Sequence, residues 1–135
     1  MKQYLLDTNI CAFMFRGKHE VGKRLQGIGL NNCHISVITY AELYFGIING
    51  GTNVEHNLNV LNTFCNNIDI IGIDDVIPFY AQEKHRLRKA GTPIDDFDLF
   101  IGATALAYNM VLVTENIKHL GKIKGIEIEN WINRQ

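Results

Sequence analysis

The feature of this sequence that most restricts its fold is an alternation of very short apolar runs with longer stretches of helical spacing. Tyr4-Leu5-Leu6, His34-Ile35-Ser36, Ile68-Asp69-Ile70-Ile71 and Met110-Val111-Leu112-Val113 read as brief strands, and Ile126-Glu127-Ile128 as a last one. Between them, helices are expected over 9–16, 19–26, 38–48, 54–66, 75–90 and 96–108. In 54–66, Val54, Leu58, Leu61 and Cys65 recur at spacings of three and four, the signature of one apolar helix face. The 75–90 segment ends on Arg86, Arg88 and Lys89 and is followed by Gly91, a basic last turn closed by a glycine stop. Short strands without polar alternation are buried on both faces, so the chain is expected to be α/β with a mainly parallel sheet between helical layers. Ligands of such sheets sit beyond the carboxyl ends of the strands. Asp7 occupies that position after the first strand, and Thr114-Glu115-Asn116 occupies it after the fourth.

No repeat, low-complexity tract or Pro/Ser-rich linker divides the 135 residues, so one domain over 1–135 is expected. The three cysteines, Cys11, Cys33 and Cys65, are odd in number and far apart, which suits free thiols in a reducing compartment and gives no zinc or redox motif. The amino terminus lacks the apolar core of a secretory signal, and no run approaches the ~20 residues of a membrane span. A soluble cytoplasmic protein is expected. Lys+Arg 13 against Asp+Glu 14 gives a formal net charge of −1. Any nucleic-acid contact must then come from a local basic stretch, or from metal ions that offset acidic side chains.

Three separated acids carry the candidate chemistry. Asp7 follows a strand directly and can cap the helix after it. Glu42 is the one charge in an otherwise apolar helix, Ile38 to Ile48, which is expected to be buried nearly all round. Its alternatives are a capping box with Thr39 or a cation partner, because an unpaired buried carboxylate is costly. Asp95, Asp96 and Asp98 crowd a helix start, and Gly102 and Ala105 follow Asp98 on one face, leaving room for a neighbouring element to approach. Two like charges ~4 Å apart repel by roughly 4 kcal/mol at an effective dielectric near 20, so converging carboxylates call for a cation. Oxygen donors of this kind suit Mg²⁺, with Mn²⁺ able to substitute. Such an ion lowers the pKa of a bound water and steadies phosphate charge, so a phosphodiester can be hydrolysed without a protein nucleophile. The chain contains no GxxxxGK[ST] loop and no GxSxG elbow.

These residues, taken in order, resemble the PIN-domain family and, within it, the VapC toxins of toxin–antitoxin modules. The likeness runs through Tyr4-Leu5-Leu6-Asp7-Thr8-Asn9-Ile10, then Ile35 to Gly46, Gly91 to Ala103, Leu112-Val113-Thr114-Glu115-Asn116 and Gly125 to Trp131. It implies a PIN-like three-layer α/β/α sandwich with a roughly five-stranded sheet. It also implies that Asp7, Glu42 and Asp98 are the metal-binding, catalytic acids of an Mg²⁺-dependent endoribonuclease. By the same resemblance Asn9 helps hold the first Asp, and Thr114 is a hydroxyl beside the site. Asn116 stands where many relatives carry a fourth acid, and His119 where relatives with Asn at that position often have Glu. No catalytic role is carried onto Asp95 or Asp96. The family further implies a homodimer and a VapB-type antitoxin whose carboxyl-terminal segment crosses a groove, where Phe13, Met14 and Phe15 could also simply pack in the core. The Thr-Pro-Ile and Glu-Asn-Trp segments are similar to those of toxins that cut the anticodon stem-loop of initiator tRNA, which makes tRNA an expected substrate.

Lys84, His85, Arg86, Arg88 and Lys89 form the dense basic run. It reads either as helix C-terminal charge on a solvated face or as a phosphate-contact surface, with Lys84, Arg86, Arg88 and Lys89 the candidate RNA contacts. Two other functions fit the same residues: a catalytically weak PIN-fold module that binds RNA or a partner, and a housekeeping PIN nuclease.

Overall fold

A computed structural model describes residues 2–134. Strands β1 (Tyr4–Leu6), β2 (Cys33–Ser36), β3 (Asp69–Ile71), β4 (Val111–Val113) and β5 (Ile128–Glu129) form one sheet in the order β3-β2-β1-β4-β5, and every recorded pairing is parallel. The helices are α1 (Thr8–Phe15), α2 (Val21–Ile28), α3 (Val37–Gly50), α4 (Val54–Asn66), α5 (Ile77–Lys89), α6 (Asp96–Ala107) and the short α7 (Ile117–Leu120).

The central strand explains the layering. Leu5 and Leu6 are both fully buried, and adjacent strand residues point to opposite faces. Leu6 joins a core with Ile10, Leu25, Leu61 and Phe64, from α1, α2 and α4. Leu5 joins a second core with Leu87, Leu99 and Ile101, from α5 and α6. Helices thus cover both faces of a short parallel sheet. The chain runs outward from β1 through β2 and β3, then returns to build β4 and β5 on the other side. The strand order reverses between β1 and β4, the place at which sheets of this kind take ligands beyond the carboxyl ends of their strands.

Several boundaries differ from the sequence expectation. α2 lies two residues later than 19–26 and stops at Gly29, whose φ of 94° a side chain would not tolerate. β5 pairs through Ile128 and Glu129, whereas Ile126 packs into the second core. α7 was not expected, being too short to show a period. The largest correction concerns α3. It buries Thr39 and Leu43, but Tyr44, Phe45 and Ile48 are 39%, 66% and 50% exposed. Apolar composition identified a helix, but it could not say what covers the outer face.

Gly102 shows why small residues follow Asp98. A Cβ there would overlap Ile123 Cδ1 and stand 3.2 Å from Leu120 Cδ2, both in buried side chains. The residues after β4 therefore pack directly on the α6 backbone. Gly102→Ala should lower stability by about 1–2 kcal/mol, overpacking outweighing the better helix propensity of alanine. Urea denaturation measures this; an unchanged midpoint would mean Ile123 swings aside freely.

Candidate active site

Asp7 leaves β1 with its backbone N–H still bonded to Val113 O at 2.9 Å, so the sheet itself fixes where its carboxylate points. Its side chain, 5% exposed, caps α1 by accepting from Thr8 N at 2.8 Å and also accepts from Thr114 Oγ1 at 2.7 Å. Capping and site membership are both true of it. Burial pushes the Asp7 carboxyl above the ordinary range, and the bonds from Thr114 and Thr8 pull the other way.

Glu42 arrives from α3. The residue that caps this helix is Ser36, whose Oγ accepts from Ile38 N at 3.0 Å. A Thr39–Glu42 capping box is thereby ruled out, because Thr39 lies inside the helix. Glu42 Oε1 instead accepts from Thr8 Oγ1 at 2.7 Å. Desolvation raises its pKa, Thr8 opposes the rise, and the charges of Asp7 and Asp95 add to it.

Asp98 lies in the first turn of α6, and its Oδ2 accepts from Asn116 Nδ2 at 3.4 Å. Its carboxyl is pushed up to about 6, first by burial and then by the negative fields of Asp7, Asp95 and Glu42, with His119 opposing. Asn116 N in turn donates to Thr114 Oγ1 at 2.9 Å. One chain of hydrogen bonds therefore joins the three acids: Glu42 to Thr8, Thr8 to Asp7, Asp7 to Thr114, Thr114 to Asn116, and Asn116 to Asp98. Among the described residues, none of the three carboxylates forms an ion pair with lysine or arginine.

No three His, Cys, Asp or Glu side chains among the described residues stand close enough to hold a metal ion as they are. The donor set nonetheless suits a hard divalent cation. All its donors are oxygens, their pKa values are raised, and among the described residues no lysine or arginine pairs with them.

Thr114 and Asn116 lie where the sequence placed them. Asn9 does not serve as expected: it is exposed, none of the recorded side-chain hydrogen bonds is its own, and Thr8 and Thr114 hold Asp7 instead. Thr8 and Thr39 were missed. The available signal was a hydroxyl next to the capping Asp, and another three residues before Glu42 on the same helix face. Asp95 caps α6 by accepting from Phe97 N at 3.1 Å. Asp96 is drawn away by Lys84 Nζ and Tyr80 Oη, both at 2.9 Å.

The basic run divides. Lys84 is committed to Asp96, and Arg86 clamps the buried Glu83 through two bonds, 2.9 and 2.8 Å, while also reaching Lys122 O at 2.8 Å. Glu83 also accepts from Lys124 N at 3.2 Å, so Arg86 belongs to a clasp tying α5 to the chain after α7. Arg88 and Lys89 are exposed, with no ion pair recorded among the described residues. Arg88 faces Asp95 and Asp96 across a cleft of about 440 Å³. A second groove, about 580 Å³, runs from Thr8 and Glu42 past Ala12, Phe15, Ile47 and Leu61. Phe15 packs edge-on against Phe64, and Phe13 and Met14 are partly buried against the first core.

The PIN domain family model matches residues 4–124. The chain is 30% identical to the tRNA(fMet)-specific endonuclease VapC of Salmonella typhimurium, over 97% of this chain and 99% of that one. It is 36% identical to ribonuclease VapC2 of Rickettsia felis, over 95% and 97% respectively. Among solved structures, it superposes on the DNA-bound VapBC of Salmonella typhimurium with a TM-score of 0.87 at 30% identity, covering 97% of this chain and 99% of that chain. The promoter-bound VapBC2 of Rickettsia felis gives 0.86 at 32% identity, covering 95% and 98%.

Proposed function

Because the chain belongs to the PIN-domain family, we propose that it is one PIN domain acting as an Mg²⁺-dependent endoribonuclease, the toxin of a type II toxin–antitoxin pair. The observation that carries this reading is the hydrogen-bonded chain linking Asp7, Glu42 and Asp98 at the sheet's switch point, with none of the three paired to lysine or arginine among the described residues. Asp7, Glu42 and Asp98 would hold the ion, Mg²⁺ or Mn²⁺. When bound, it supplies an acidified water and neutralises charge on the scissile phosphate. The protein's own part is positioning. Thr8 and Thr114 hold both oxygens of Asp7, and Asn116 donates to Asp98.

Within the basic run, Arg88 and Lys89 are the exposed cations available to meet RNA phosphates, and tRNA is the expected substrate by likeness to the Salmonella relative. The partner is a VapB-type antitoxin, and the apolar groove that ends at Glu42 is shaped to take a chain segment. A homodimer follows the same reading; exposed Phe45, Ile48 and Phe97 provide apolar surface for one. Among the described residues no helix is long and apolar enough to cross a membrane.

The test is incubation of purified protein with total tRNA. Cleavage is expected with Mg²⁺ or Mn²⁺ and should cease with EDTA. Cleavage that persists in EDTA would contradict the metal reading. Metal binding without cleavage of any RNA would favour a binding module instead.

A further inference from the structure

We propose that Thr39 is a positioning residue for the acidic site, acting through Thr8 on Glu42. Thr39 is fully buried in the first turn of α3, and its Oγ1 lies 3.2 Å from Thr8 Oγ1. Thr8 Oγ1 is 2.7 Å from Glu42 Oε1. A hydroxyl has one proton to give and two lone pairs with which to receive. The shorter bond, to a carboxylate that can only accept when ionised, takes the Thr8 proton. Thr39 must then be the donor in the longer bond. The order is fixed: Thr39 donates to Thr8, and Thr8 donates to Glu42.

The arrangement matters because Thr8 serves two acids at once. Its backbone N–H holds Asp7, and its hydroxyl holds Glu42, 34 positions further along the chain. A hydroxyl rotor has three staggered settings, and only one of them serves Glu42. The Thr39 proton occupies a lone pair of Thr8 and so biases the rotor toward that setting. Packing alone does not ask for a hydroxyl at position 39, since valine has nearly the same shape and avoids burying a polar group. This inference rests on the reading of Glu42 as a metal ligand and adds a residue to its support.

The test is Mn²⁺ calorimetry on the full chain, with circular dichroism melting to confirm folding. Outer partners of metal ligands typically matter by 10–100-fold in affinity, and Thr39 stands one bond further out, so Thr39→Val should weaken Mn²⁺ binding by about 10-fold. Thr39→Ser, which keeps the donor, should restore wild-type affinity. In a Thr8→Val background the relay is already cut, so adding Thr39→Val should cost nothing more. A Thr39→Val protein with wild-type affinity, a serine that fails to rescue, or additive losses in the double variant would each overturn the relay. The wild-type arm separates the two claims: no Mn²⁺ binding there overturns the metal reading, and the relay with it.

Discussion

Asp98→Asn should abolish RNA cleavage, by roughly a thousandfold or more, while making the metal-free protein harder to melt. The loss follows from removing one of three charges that would bind the ion. Metal stabilisation of transition-state charge is worth several kcal/mol, and each ~1.4 kcal/mol is tenfold in rate. The gain follows from the like-charge cluster. The Asp98 carboxyl is pushed up to about 6 by burial and by Asp7, Asp95 and Glu42, so at pH 7.5 its ionised form strains the fold. A rise of that size, from 3.8 to about 6, is worth at most about 3 kcal/mol. The group is only half-buried, and solvent screening reduces this to about 1–2 kcal/mol. Asparagine keeps an oxygen for Asn116 and discards the charge. The melting temperature of the metal-free variant should therefore rise by roughly 3–6 °C. A variant that is inactive and also less stable would show that Asp98 is structural.

Divalent binding should be strongly acid-sensitive, and the sign can be derived from the same carboxyl. In the folded protein without metal, raised pKa values penalise the ionised forms, so the penalty grows as pH rises from the ordinary 3.8 through about 6 for Asp98. A cation binds only the ionised form, so protons compete with it below about pH 6. Mn²⁺ affinity should be nearly flat above pH 7 and fall about tenfold per pH unit below 6 from Asp98 alone. The raised pKa values of Asp7 and Glu42 can only steepen the fall. Calorimetry at pH 7.5, 6 and 5 reads this directly. Affinity unchanged down to pH 5 would mean that Asp98 is not a ligand.

The sequence made the sheet legible because its strands are short and apolar throughout, and because Asp7 and Thr114 sit at strand ends, where position alone implies a role. The small residues after Asp98 pointed to a close approach on that face, and Gly102 proves to be the point where Leu120 and Ile123 press on α6. Long-range pairing was not legible. Nothing local says that Lys84 turns to Asp96, that Arg86 clamps Glu83, or that Thr8 of α1 meets Glu42 of α3. The resemblance pointed to Asn9 as a support of Asp7, whereas the partners of that carboxylate are the adjacent Thr8 N–H and the hydroxyl of Thr114, which follows β4. The outer face of α3 was misjudged because period and composition report apolarity, and burial depends on what packs alongside.

Crystals soaked in Mn²⁺ and measured at the manganese absorption edge test the central claim most directly. An anomalous peak should lie ~2.0–2.3 Å from carboxylate oxygens of Asp7, Glu42 and Asp98 together, allowing for ordinary metal–oxygen lengths. At saturating Mn²⁺, no peak, or one bound by other residues, would contradict it.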